Sequence, residues 1–218
     1  MADILIACEE SGTVRDAFIA MGHNAISCDL QPTRSPGPHL QCDVRDVLHL
    51  GWDAMIAHPV CKRLANSGVR WLTVPPHGKT LEQMWHELEK GAAFYRALRD
   101  APIRFKAIEN PVMHPHAVER IRPAYRQVVQ PWWFGDPTFK ATGFELIGLP
   151  DLRPTNKLVP PKPGTPEHKE WSWVHRMPPG PNRERERSKF QPGIARAIAE
   201  QWGAFIEGSK NGGNGNGT

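Results

Sequence analysis

Short apolar runs alternate with helical stretches along the first half of the chain, and nearly every run stops on a polar or reactive residue. Residues 3–8 (DILIAC) form the first run. Val14, Ala17, Phe18 and Met21 follow on one face of a helix that Ser11 and Thr13 can cap. Residues 25–28 (AISC) are closed by Asp29, residues 39–42 lead to Asp43, and residues 53–57 (DAMIA) end at His58-Pro59. A polar, mobile loop is expected over 62–79. Leu81, Met84, Trp85, Leu88, Ala92 and Tyr95 then recur at helical spacing within 80–99. Residues 103–108 (IRFKAI) make a fifth run, ending at Glu109-Asn110. This alternation predicts an α/β fold, an open and mostly parallel sheet with helices on both faces.

The second half changes character. Residues 126–134 and 144–147 read as further strands, and 191–205 as a closing helix with Pro192 near its start. Much of the proline and glycine, 22 and 19 residues, falls in this half. A length of 218 residues suits one domain with a sizeable core, taken as 1–207 with a Pro-rich insert over 150–190. Residues 208–218 (GSKNGGNGNGT) read as a disordered tail. Net charge is +4, compatible with a polyanionic partner. Cys8, Cys28, Cys42 and Cys61 form no C-x-x-C pair, which argues against a zinc ribbon. The opening MADILIACEE is not a signal peptide, and no stretch reads as a membrane span. A reducing, cytoplasmic setting with no membrane and no metal is therefore expected. Oligomeric state is not legible.

Ligands of open α/β sheets bind outside the carboxyl ends of the strands. The strand ends here carry Cys8-Glu9-Glu10-Ser11-Gly12, Asp29, Asp43, His58-Pro59-Val60-Cys61 and Glu109-Asn110. Asp29 lies about 20 residues beyond the first strand, where a carboxylate meets ribose hydroxyls in nucleotide-binding folds. The first turn lacks G-x-G-x-x-G and is acidic, which suits a cationic ammonium better than a pyrophosphate. Glu9 and Glu10 read equally well as solvated turn residues. Cys61 sits outside any apolar run beside Lys62 and Arg63, and cations favour a thiolate. With Glu109 it forms a candidate nucleophile and acid. A buried structural cysteine and a salt-bridged glutamate are the plainer readings.

These residues, in this order, resemble the DNA cytosine-C5 methyltransferases, especially short, phage-type members. LIACEESGTVRDAFIAMGHNAISCDL is similar to their cofactor-binding opening, AHPVCKRLANSGVRWL to their Pro-Cys catalytic loop, IENPV to their Glu-Asn-Val motif, and SKFQPGIARAIAEQWG to their closing segment. The resemblance implies a Rossmann-like S-adenosylmethionine-dependent fold and methyl transfer to cytosine C5. Cys61 would be the nucleophile on C6, and Glu109 the partner of N3 and the exocyclic amine, with a raised pKa serving an acid role. Asp29 would take the ribose hydroxyls and Asp43 the adenine amino group. Ala7, Glu9, Glu10, Ser11 and Gly12 would surround the methionine end, with His58 and Pro59 completing the cofactor rim. Asn110 and the cluster Arg183, Arg185, Arg187 and Lys189 would meet the nucleic acid, DNA by resemblance. A phage-encoded enzyme would work in the cytoplasm of its bacterial host.

The chain departs from the pattern at Val60, which replaces the proline before the cysteine, at its Glu-rich first turn, and in leaving little room for a recognition domain. RERERSK over 183–189 could equally be a solvated helix face. Alternative functions are modification of RNA or of a free cytosine nucleotide, and an inactive binder that keeps the fold. A zinc site at Cys61 with His58, His114 or His116 is disfavoured, because His114 and His116 are too close for the usual helical spacing.

Overall fold

The computed structural model describes residues 1–110, 112–124, 126–180 and 183–212. Its strands are β1 (Asp3–Ala7), β2 (Asn24–Asp29), β3 (His39–Gln41), β4 (Ala54–Ala57), β5 (Phe105–Glu109), β6 (Arg126–Val129) and β7 (Thr142–Ile147). They form one sheet in the order β3-β2-β1-β4-β5-β7-β6. The first five are parallel, and β7 runs antiparallel to both β5 and β6. The expected α/β class, with an open and mostly parallel sheet, is borne out.

Alternate strand residues feed two cores, because successive side chains leave opposite faces of a strand. Ile4, Ile6, Ala54 and Ile56 join Phe18 of α1 (Thr13–Ala20) and Ile198 and Trp202 of α7 (Pro192–Gly212). Leu5, Ala7, Met55 and Ala57 join Leu88 and Tyr95 of α2 (Leu81–Arg99) and Ile121 of α3 (Pro115–Ile121). Helices thus cover both faces, which is why the strands read as unbroken apolar runs. A capping box starts α2: Thr80 Oγ1 accepts from Gln83 N at 3.1 Å, and Gln83 Oε1 accepts from Thr80 N at 2.9 Å.

Helix α1 starts differently from the expectation. Gly12 is its N-cap, at φ 77°. Ser11 Oγ accepts from Thr13 N at 3.2 Å, and the Glu9 carboxylate accepts from Val14 N at 2.7 Å and Arg15 N at 3.2 Å. Met21 lies outside the core, and Arg15 is fully buried. The Arg15 guanidinium donates to Ser27 Oγ, Thr33 Oγ1 and the carbonyls of Ser35 and Pro36. A Cβ at Gly12 would come within 2.4 Å of it and one at Gly37 within 2.8 Å, so two glycines make room for the cation that fastens the Pro-rich loop.

The strand expected over 126–134 stops at Val129, because Pro131 opens a 3-10 turn. The insert over 150–190 contains three short helices, α4 (Pro166–Trp171), α5 (Trp173–Arg176) and α6 (Arg183–Ser188). Helix α7 continues to Gly212, beyond Phe205 and into the stretch read as a disordered tail. The rest of that stretch, 213–218, lies outside the described residues. Among the described residues no helix is long and apolar enough to cross a membrane.

Candidate active site

Parallel pairing aligns the strand ends. Ala7 pairs with Cys28 and with Ala57, and Ala57 pairs with Ile108. One residue further on, Cys8, Asp29, His58 and Glu109 therefore stand in a row along the carboxyl rim. The chain leaves β1 towards β2 on one side, and the sheet continues to β4 on the other. This reversal is the crevice where open sheets take ligands.

On the β1–β2–β3 side, Asp29 ends its strand and its Oδ1 accepts from Gln31 N at 2.8 Å. Asp43 is held in a fork by Arg45, whose Nε lies 2.9 Å from Oδ1 and whose Nη2 lies 2.5 Å from Oδ2. These hydrogen bonds hold the Asp43 carboxyl at about 2, well below the usual carboxylate range. The carboxylates of the acidic turn are engaged within the protein. Both Glu9 oxygens cap α1, Ser11 Oγ donates to Glu9, and the Glu10 carboxylate pairs with Arg34 of the Pro-rich loop. The Ala7 carbonyl accepts from His58 N at 2.9 Å, and Pro59 is buried.

On the β4–β5 side, His58 meets Glu109. Its Nδ1 lies 2.8 Å from Glu109 Oε2, and its ring packs edge-on against Phe190 at 4.8 Å between centroids. Burial pushes the Glu109 carboxyl up, but the hydrogen bond and charge of His58, with the charge of Lys140, outweigh it and leave Glu109 below its ordinary value. That direction favours the carboxylate form of Glu109 at neutral pH. Asn110 is buried. Its backbone bonds to Gly143 and Arg126, and its side-chain Oδ1 has no hydrogen-bond partner among the described residues.

Cys61 follows β4 and is half-buried. Its carbonyl accepts from Leu64 N and Ala65 N, both at 2.9 Å. The loop beyond it is stitched to the segment after Glu109 rather than left mobile. Asn66 N donates to the Val112 carbonyl, His114 N to the Leu64 carbonyl, and Ala65 pairs with Met113. His114 also accepts from Ala117 N to cap α3 and lies 2.8 Å from the Arg63 carbonyl through Nε2, so both ring nitrogens are engaged. Among the described residues no group of three or more His, Cys, Asp or Glu could hold a metal. Arg63 Nε donates to Glu87 at 2.6 Å. Burial lowers the pKa of the Lys140 ammonium below its ordinary value, and the charges of Glu109 and Cys61 act against that. Cys28, by contrast, is fully buried, and burial with a hydrogen bond to Cys42 pushes its thiol up to about 12.

Lys140 carries no motif, and Phe190 lies in the closing-segment motif SKFQPG, where nothing in the sequence ties it to His58. Lys140 precedes β7, and the antiparallel register, Glu109 opposite Phe144, brings the approach to β7 over the end of β5. Of the expected nucleic-acid cluster, Arg187 lies near enough to Lys140 to act on its charge. Arg183 donates to the Met177 carbonyl at 2.9 Å, and Lys189 pairs with Glu186 at 2.5 Å. The side chain of Arg185 lies outside the described residues.

Gly68 fixes the loop. A Cβ there would come 2.4 Å from the Lys62 carbonyl oxygen, a backbone atom that cannot swing aside. Gly68→Ala is expected to cost roughly 1–3 kcal/mol in denaturant unfolding and to change the rate at which Cys61 is alkylated. Wild-type values in both would show that the loop has slack.

No family model matches the chain, and no curated protein matches it. Among solved structures it is similar to a prophage-encoded protein described as a DNA modification methyltransferase (E. coli). That likeness has 13% identity and a TM-score of 0.47, and covers 72% of this chain and 52% of the other. It is also similar to the Entamoeba histolytica methyltransferase EhMeth, at 11% identity and a TM-score of 0.44, over 72% of this chain and 58% of that one. A Spodoptera frugiperda DNMT2 mutant is similar at 12% identity and a TM-score of 0.38, over 73% and 57%. The chain spans little more than half the length of these proteins.

Proposed function

We propose that the chain is an S-adenosylmethionine-dependent methyltransferase that modifies C5 of cytosine in DNA through a covalent adduct between Cys61 and C6. One observation carries this reading: Cys61 and Glu109 stand at the carboxyl ends of adjacent strands with the Lys140 ammonium near both, while Asp29 and Asp43 end the strands on the other side of the crevice.

Cytosine C5 is a weak nucleophile until C6 is attacked. In this reading the Cys61 thiolate forms the S–C6 bond, and the C5–C6 π pair becomes available at C5. C5 takes the methyl group, a base removes the C5 proton, and the S–C6 bond breaks to return the thiolate. S-adenosylmethionine, when bound, supplies the electrophilic methyl on a sulfonium. The residues fit it in part. Asp29 offers a carboxylate oxygen to the ribose hydroxyls, whereas Asp43 shares its oxygens with Arg45, so Asp29 carries more of the affinity. The ammonium end is left to backbone groups of the first turn, since Glu9 and Glu10 are otherwise engaged.

Among its described residues the insert holds only short helices, which offer little surface to offset the few kcal/mol needed to swing a base out of a duplex. Single-stranded or mismatched DNA is expected to react faster than paired DNA. Tritiated S-adenosylmethionine offered with DNA, RNA or dCTP tests the substrate class: label in DNA supports the reading, and label only in RNA or dCTP contradicts it. Asp29→Ala is expected to weaken cofactor binding about tenfold or more in calorimetry, the scale of one hydrogen bond to a charged group. Unchanged affinity would remove Asp29 from the site.

A further inference from the structure

Glu109, His58, Lys140 and the Lys189–Phe190 segment close on one another. His58 Nδ1 meets Glu109 Oε2, and Phe190 packs on the His58 ring. The carbonyl of Lys189, the residue before Phe190, accepts from Lys140 Nζ at 2.7 Å. Lys140 in turn lies within reach of the charges on Glu109 and Cys61. With Glu109 ionised, a carboxylate can only accept, and His58 Nδ1 carries the hydrogen of this bond. The bond fixes the imidazole and leaves Nε2, buried and without a partner among the described residues, on the far side of the ring.

We propose that His58 and Lys140 are positioning residues for Glu109. The His58 Nδ1–H occupies Oε2, Lys140 supplies positive charge beside the carboxylate and Cys61, and Glu109 meets its substrate as a hydrogen-bond acceptor through Oε1 rather than as a proton donor. This rests on the cytosine-C5 reading and deepens it. An acceptor at Oε1 suits the exocyclic amine of cytosine, which has hydrogens to give. Charge that builds on the ring as the S–C6 bond forms is then balanced by the Lys140 ammonium, not by a proton from Glu109. Among the described residues, the charged or titratable groups that act on Glu109 are His58 after β4 and Lys140 before β7, with Cys61 and Arg187 of α6 acting on Lys140. The cations outnumber the thiol. His58 meets the carboxylate from beyond β4 and Lys140 acts on it from before β7, which a role confined to folding β5 would not require.

The test is direct titration of the Glu109 carboxyl by carbon NMR in glutamate-labelled protein, its resonance assigned by disappearance in Glu109→Gln. In the wild type the midpoint is expected below that of an ordinary glutamate. In His58→Phe and Lys140→Met it is expected to rise, by about 1–3 pH units for His58→Phe. His58→Gln keeps a donor without a charge and should fall between. Lys140→Met should also slow alkylation of Cys61 at neutral pH several-fold, with Lys140→Arg restoring it. If His58→Phe fails to fold, Lys140→Met and His58→Gln still decide the matter. Midpoints unmoved in every folded variant would overturn the proposal. None of these readouts uses turnover. Failure to methylate cytosine would end the C5 reading, while the titration would still give its own answer on His58 and Lys140.

Discussion

Cys61→Ser is expected to remove methyl transfer almost completely, by roughly 10⁴–10⁶-fold, the scale on which loss of a covalent nucleophile acts. A serine hydroxyl has nearly the size of the thiol but is far less ionised at neutral pH, so a neighbouring ammonium cannot make it reactive to the same degree. The Lys140 ammonium and Cys61 act on each other's charge. The fold should survive, because Cys61 lies outside both core clusters and its ties to Leu64 and Ala65 run through the backbone. Single-turnover transfer from labelled cofactor, with calorimetry to show intact cofactor binding, checks it. A Cys61→Ser protein that still turns over at a tenth of the wild-type rate would mean that no thiol adduct lies on the path.

Glu109→Gln is expected to lower the rate by roughly 10²–10³-fold with cofactor affinity unchanged. An amide keeps the shape, but it cannot carry the negative charge that pairs with His58 and Lys140, and its NH2 group would present donors to donors. The pH dependence has a definite sign. The folded carboxyl sits below its ordinary value, so Glu109 is fully ionised at neutrality, and its contribution to rate is lost only as pH falls through that lowered value. The linked stability follows the same sign. It is present above the unfolded glutamate value of about 4.3 and disappears as pH falls through the lower folded one. An acidic limb in the rate profile near neutrality, removed by Glu109→Gln, would instead restore the acid role that the sequence suggested.

The legible parts of the site were those written locally. Residues 3–7, 24–29, 54–57 and 105–109 are apolar stretches bounded by polar residues, and a strand covered on both faces can hardly be anything else. Their ends therefore placed Asp29, His58, Cys61 and Glu109 on one rim. The partners of those residues were not local. Glu9 looked like a ligand group, yet it caps α1 because Gly12, in the left-handed region, turns the helix start back over it. His58 looked like a cofactor neighbour, yet β5 pairs with β4 and brings Glu109 to it across 51 residues. Lys140 lies in no motif at all. It reaches the site only because β7 inserts antiparallel beside β5, a choice made by packing rather than by the sequence of β7. Arg15 belongs to the same class: a charge on a short amphipathic helix reads as exposed until two glycines and a proline-rich loop enclose it.

The most direct measurement uses an oligonucleotide carrying 5-fluorocytosine. Fluorine at C5 cannot leave as a proton, so once C5 has taken the methyl group the S–C6 bond cannot break by the normal route. Wild-type protein with S-adenosylmethionine should give a conjugate that survives a denaturing gel, contains the transferred methyl, and maps by mass spectrometry to the peptide holding Cys61. It should not form without cofactor or in Cys61→Ser. A methyl group found on the exocyclic nitrogen, or methylation that proceeds with no conjugate at Cys61, would contradict the account.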